Sequence, residues 1–93
     1  MLARVLISRH ADRDLQRVPL YIRNKLIAWA HFVQDRGLRM VRLMSGYHDE
    51  PLKGDRKGQR SIRLSIHYRA IYTVAVDGAI EIVTVQEVTK HDY

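Results

Sequence analysis

The dipeptide Asp77-Gly78 stands between two runs rich in Ile, Val, Thr and Tyr, Arg69 to Val76 and Ala79 to Val88. Asp-Gly is a strong short-range signal for a β-hairpin, because a type I′ turn needs two residues that tolerate positive φ. The second half of the chain is therefore committed to antiparallel strands. Arg60 to Ile66 is a third run of the same kind, and Ser65 to Tyr68 makes the turn that follows it.

The first half reads differently. Leu2 to Ser8 alternates in part and reads as a short strand, after which Ser8 caps a brief polar helix through about Gln16. Pro19 suits the first position of a longer helix, where its missing N–H costs nothing. Ile22, Leu26, Trp29 and Val33 follow at helical spacing, with Ala30 on the same stripe, and Gly37 closes the helix. Trp29 and Phe32 are expected in the core. Leu38 to Met44 is a short apolar segment compatible with a helical extension, and Gly46 to Gly58 is a polar, turn-rich loop. The expected class is α+β in the order β-α-α-β-β-β: two helices on one face of a small, mostly antiparallel sheet, with the arginines on the other. With 93 residues, positions 1–93 form a single domain.

A hydrophobic fraction of 46% argues against disorder. Cysteine is absent, which excludes disulfides and thiolate metal sites; with no signal peptide, a reducing cytoplasmic location is expected. No apolar run approaches membrane-spanning length, so no membrane partner is expected.

Charge is distributed unevenly. The seventeen residues from Lys53 to Arg69 hold six cations (Lys53, Arg56, Lys57, Arg60, Arg63, Arg69) and one acid, Asp55, whereas the whole chain carries +6. Cations this close repel one another unless an anion joins them. A sequence pI near 10.1 leaves nucleic acid, an anionic membrane surface or an acidic protein as partners. Arg63 and Arg69, on adjacent strands, make a plausible phosphate clamp, since guanidinium pairs two phosphate oxygens at once. Arg56, Lys57 and Arg60 flank the glycines of the loop and would track an RNA backbone, although no P-loop pattern is present.

Cutting RNA through its own 2′-hydroxyl requires a base, positive charge on the phosphorane oxygens and an acid for the departing 5′-oxygen. Glu50 precedes the cation cluster; His91 titrates near neutral pH and Tyr93 can donate a hydrogen bond or stack on a base. Taken singly, each of these three has an ordinary role in a turn or a terminus. The five histidines are dispersed, and the side chains of His48-Asp49-Glu50 should diverge, so neither a metal site nor a small-molecule cofactor is expected. No Gly-x-Ser-x-Gly element supports Ser/His/Asp catalysis.

At these residues the chain resembles the RelE/ParE superfamily, the toxin halves of bacterial type II toxin–antitoxin pairs. Glu50-Pro51-Leu52-Lys53-Gly54 resembles the family's "(E/H)PLKG" loop. Gly58-Gln59-Arg60-Ser61-Ile62-Arg63 and Tyr68-Arg69-Ala70-Ile71-Tyr72 resemble its two following strands. The resemblance is densest over residues 50 to 76. It implies a RelE-like fold and, in the RelE, YoeB and HigB branches, ribosome-dependent cleavage of mRNA. On that resemblance Glu50 falls at the base, Arg69 at the arginine facing the scissile phosphate, Arg63 at a second functional arginine and Lys53 at a groove lysine. His91 and Tyr93 stand near the usual terminal His/Tyr pair, with Asp92 intervening. The resemblance also implies a cognate antitoxin, and mRNA held against ribosomal RNA. Two alternatives are a ParE-like, non-catalytic inhibitor of DNA gyrase and a non-catalytic nucleic-acid-binding module.

Overall fold

The structure is a computed structural model that describes residues 2–90. Strand β1 (Leu2–Ile7) leads into helices α1 (Arg9–Leu15), α2 (Leu20–Arg36) and α3 (Leu38–Arg42); strands β2 (Glu50–Pro51), β3 (Arg60–Arg63), β4 (Tyr68–Asp77) and β5 (Ile80–Lys90) follow. They form one five-stranded sheet in the order β1-β5-β4-β3-β2. β1 runs parallel to β5, and the other pairings are antiparallel. The expected α+β, mostly antiparallel architecture is observed, with a third, five-residue helix and one more strand than the sequence pattern indicated.

Local chemistry sets the boundaries. Ser8 caps α1, its Oγ accepting from the Ala11 amide at 3.0 Å while donating to the Gln86 carbonyl at 2.9 Å, so one hydroxyl also ties α1 to β5. Pro19 stands one position before α2 rather than inside it: its ψ of 150° is extended, and its carbonyl accepts from Ile22 and Arg23. Gly37, at φ 85°, ends α2 through its N–H to the Val33 carbonyl at 2.8 Å. Its own carbonyl then starts α3 by accepting from Val41, so Leu38–Arg42 is a separate helix and not an extension of α2.

The hairpin is shifted by one residue. Asp77 pairs with Ile80, leaving Gly78-Ala79 as the two-residue loop, and Gly78 alone of this pair has positive φ, at 60°. That is the pattern of a type II′ turn, which needs glycine only at its first central position.

The core lies between the helices and one face of the sheet. Ile22, Leu26, Trp29 and Val33 from α2 and Leu38 and Val41 from α3 meet Ile62, Leu64, Ala70, Tyr72, Val83, Val85 and Val88. The Trp29 and Tyr72 rings sit 5.2 Å apart, tilted at 48°. Phe32 packs at the edge of this core, half-buried, with the Arg36 guanidinium 5.2 Å over its ring.

A register shift in the β4–β5 ladder decides what the far face carries. Ile71 pairs with Glu87 and Tyr72 with Val85, so Gln86 is the extra residue of a bulge. A regular strand would put Val83, Val85 and Glu87 on one face. The bulge restores Val88 to the core side and turns Glu87 and Thr89 outward.

Candidate RNA-cleavage site on the open face

Alternation along β3 and β4 sends Ile62, Ala70 and Tyr72 into the core and Ser61, Arg63, Arg69 and Ile71 to the opposite, helix-free face. Arg63 and Arg69 are direct partners in the β3–β4 register, and Glu50 is the partner of Ser61 in the β2–β3 register. The short strand β2 lies within the segment read as loop; Pro51 is tolerated there because the strand is at the sheet edge.

Glu50, Ser61 and Arg69 line a depression of about 390 Å³ together with Leu52, Arg56, Ile71, Glu87 and Thr89. Arg69 Nη1 donates to Glu50 Oε1 at 3.3 Å. The Arg69 side chain is only 16% exposed and Glu50 is 46% exposed, so the guanidinium is held by the sheet while the carboxylate is open to an incoming group. His48 Nε2 stands 3.8 Å from Glu50 Oε2. At the opposite wall Arg56 Nη2 meets Glu87 Oε1 at 2.9 Å, and Arg56 Nη1 donates to Gln59 Oε1 at 3.2 Å. The buried Ser61 Oγ and Arg63 Nε have no hydrogen-bond partner among the described residues. Lys53 and Lys57 are exposed on the loop beside the depression.

Arg60 is placed elsewhere. It shares its face of β3 with Ile62, and its Nε donates to Asp49 Oδ1 at 2.7 Å. The Asp49 side chain is 1% exposed and also accepts from the Tyr72 hydroxyl. Burial alone would lower the Arg60 guanidinium, but its hydrogen bond to Asp49 and the Asp49 charge outweigh this and raise it above its ordinary value. Tyr72 is pushed up to about 12, first by burial and then by its bond to Asp49. Arg60, read from the sequence as a cation that tracks an RNA backbone, is instead paired with a buried carboxylate on the core side. The cluster of six cations therefore divides: Arg63 and Arg69 in the sheet and Lys53, Arg56 and Lys57 on the loop belong around the open face, and Arg60 does not.

Of the other residues read from the sequence, Glu50 and Arg69 are brought into direct contact, whereas His91 and Tyr93 lie outside the described residues. Sequence reasoning missed Glu87 and Asp49. The signal for Glu87 was the broken alternation Val83-Thr84-Val85-Gln86-Glu87-Val88. Among the described residues no three His, Asp or Glu side chains are grouped to hold a metal ion, and no helix is long and apolar enough to cross a membrane.

No protein-family model matches the sequence, and no curated protein matches it significantly. Solved structures do resemble it. A YoeB/ParE toxin from Agrobacterium tumefaciens superposes with a TM-score of 0.73 at 21% identity, covering 96% of this chain and 99% of that one. The RelBE2 toxin–antitoxin complex from Mycobacterium tuberculosis gives 0.69 at 23% identity, covering 98% and 100%. YafQ from E. coli gives 0.73 at 18% identity, covering 92% and 90%. The chain has the fold shared by RelE-, YoeB- and YafQ-type toxins of toxin–antitoxin systems.

Proposed function

We propose that this protein is the toxin of a type II toxin–antitoxin pair and a ribosome-dependent endoribonuclease that cuts mRNA during translation. The observation that carries the reading is the contact of Glu50 with Arg69 at 3.3 Å, on the helix-free face and beside Arg63. A carboxylate against one guanidinium in the depression, with a second guanidinium opposite it in the β3–β4 register, is the donor set required for attack by an RNA 2′-hydroxyl. The entering phosphate takes the charge of Arg69 and so frees Glu50 to accept the 2′-proton. The 2′-oxygen bonds to phosphorus, Arg69 and Arg63 hold the negative phosphorane oxygens, and the P–O5′ bond breaks. The products are a 2′,3′-cyclic phosphate and a 5′-hydroxyl, the latter protonated by an acid.

We assign that acid to His91 or Tyr93, which follow Lys90; Lys90 pairs with Tyr68, the neighbour of Arg69. Lys53, Arg56 and Lys57 supply the surrounding charge for mRNA and ribosomal RNA. The scheme uses no metal or cofactor. It places the protein with the ribosomes of the cytoplasm and requires an antitoxin, consistent with the toxin–antitoxin complexes among the similar structures.

A ParE-like action on gyrase is the second reading, favoured by the likeness to the YoeB/ParE toxin from Agrobacterium tumefaciens. Growth arrest separates the two. Under the nuclease reading Glu50→Gln expressed in bacteria is harmless, while the wild type degrades translated messages. If Glu50→Gln remains toxic and inhibits gyrase supercoiling, the nuclease reading fails.

A further inference from the structure

Glu50 sits on a two-residue strand at the edge of the sheet, and its neighbour Pro51 has no N–H to give to the ladder. Backbone pairing this short holds a strand poorly. Yet the proposed reaction needs the Glu50 carboxylate at one place, against Arg69. Beyond this pairing and the Leu52 N–H bond to the Gln59 carbonyl at 2.9 Å, a side-chain tie also holds the segment.

The residue immediately before Glu50 supplies the hold. Asp49 turns to the core side, where its side chain is 1% exposed, and accepts from Arg60 Nε at 2.7 Å and from the Tyr72 hydroxyl. Arg60 belongs to β3 and Tyr72 to β4, the two strands that carry Arg63 and Arg69 on their other face. Strands β3 and β4 and the residue that leads into β2 therefore meet at one carboxylate. Successive side chains of an extended chain point to opposite faces. Pinning Asp49 below the sheet therefore pins Glu50 above it.

We propose that Asp49, clamped by Arg60 and Tyr72, is a positioning residue for the general base: it fixes β2 so that Glu50 stays aimed at Arg69 and the scissile phosphate. Asp49 touches no substrate. The inference rests on the nuclease reading for its catalytic meaning, but its structural content can be read without activity.

The test is a cycle of Tyr72→Phe, Glu50→Gln and the double variant. Tyr72→Phe keeps the ring against Trp29 and deletes one bond to Asp49; Arg60→Gln weakens the same clamp from the other side, should Tyr72→Phe fold poorly. Cleavage of translated mRNA should fall about 10- to 100-fold in kcat with KM little changed, since a misplaced base slows chemistry and not binding. The double variant should be no slower than Glu50→Gln alone. Losses that multiply, or a Tyr72→Phe enzyme as fast as wild type, overturn the proposal. In parallel, the NMR signal of the Arg69 guanidinium reports its contact with Glu50. It should move in Tyr72→Phe towards its position in Glu50→Gln, and an unmoved signal also overturns the proposal. If the wild type cuts no RNA, the nuclease reading falls, and the NMR comparison still decides whether Asp49 positions Glu50.

Discussion

Arg63 and Arg69 stand directly opposite each other across the β3–β4 ladder, two cations on one face. Like charges in that relationship destabilise a sheet, and Arg63 Nε is buried without a hydrogen-bond partner among the described residues. The fold bears this cost at the place where an anionic substrate would remove it.

Replacing one member of that pair should thus raise stability while lowering activity. Arg63→Thr keeps strand propensity and removes the repulsion. Urea unfolding should show a gain of about 0.2–1 kcal/mol. Cleavage of translated mRNA should fall roughly 100-fold, the scale for removal of one donor to a developing oxyanion.

The division of the cation cluster is visible in salt dependence. With Lys53, Arg56, Lys57, Arg63 and Arg69 around the open face, log affinity for single-stranded RNA should fall with log salt at a slope of about −3.5. Lys53→Ala should reduce that slope by about 0.7. Arg60→Ala should leave it unchanged and lower stability instead, by about 3–5 kcal/mol, because it strips the partner from a buried carboxylate. Fluorescence anisotropy with labelled RNA, paired with urea denaturation, checks both.

Tyr72 predicts a loss of stability in alkali. Its pKa is raised from 10.0 to about 12 in the folded protein, so the folded state holds the phenolic proton more tightly than the unfolded chain. The associated stability is fully present below pH 10 and disappears as pH rises towards 12, by about 2–3 kcal/mol. Burial pushes Tyr47 in the same direction. Comparing wild type with Tyr72→Phe isolates the Tyr72 part: the difference in urea midpoint should shrink across that window. A constant difference would contradict the assignment.

The Arg56–Glu87 pair, in the lining of the depression, joins the loop to β5 at 2.9 Å, with Arg56 about half exposed. Such a pair contributes little to stability, so Glu87→Gln should change it by less than about 1 kcal/mol. It also removes a negative charge from the lining of the depression proposed to take RNA. RNA should bind more tightly, by up to about tenfold, since 1.4 kcal/mol of relieved repulsion is a factor of ten.

What the sequence made legible follows the range of the interactions involved. The α2 stripe of Ile22, Leu26, Trp29 and Val33, the Ser8 cap and the hairpin near Gly78 are decided by neighbours within a few residues, and each is found within a position or so. Strand β2 is too short to show any alternation. Whether Asp49 or Glu50 faces the core depends on pairing with Ser61 and Arg60, which no local pattern reports. The bulge at Gln86, which turns Glu87 outward, is set by the match of β5 to β4. Arg60 is instructive in another way. Arg60 and Arg63 are three apart on one strand and cannot share a face, so the two-residue period already separated them. Counting cations by composition concealed a distinction that the alternation contained.

The most direct test of the account is primer extension on an mRNA being translated in vitro, with wild-type protein and with Arg69→Ala. The account predicts codon-phased cuts that require ribosomes and disappear in the variant. Intact mRNA at high concentrations of the wild-type protein, or cuts that persist in Arg69→Ala, would contradict it.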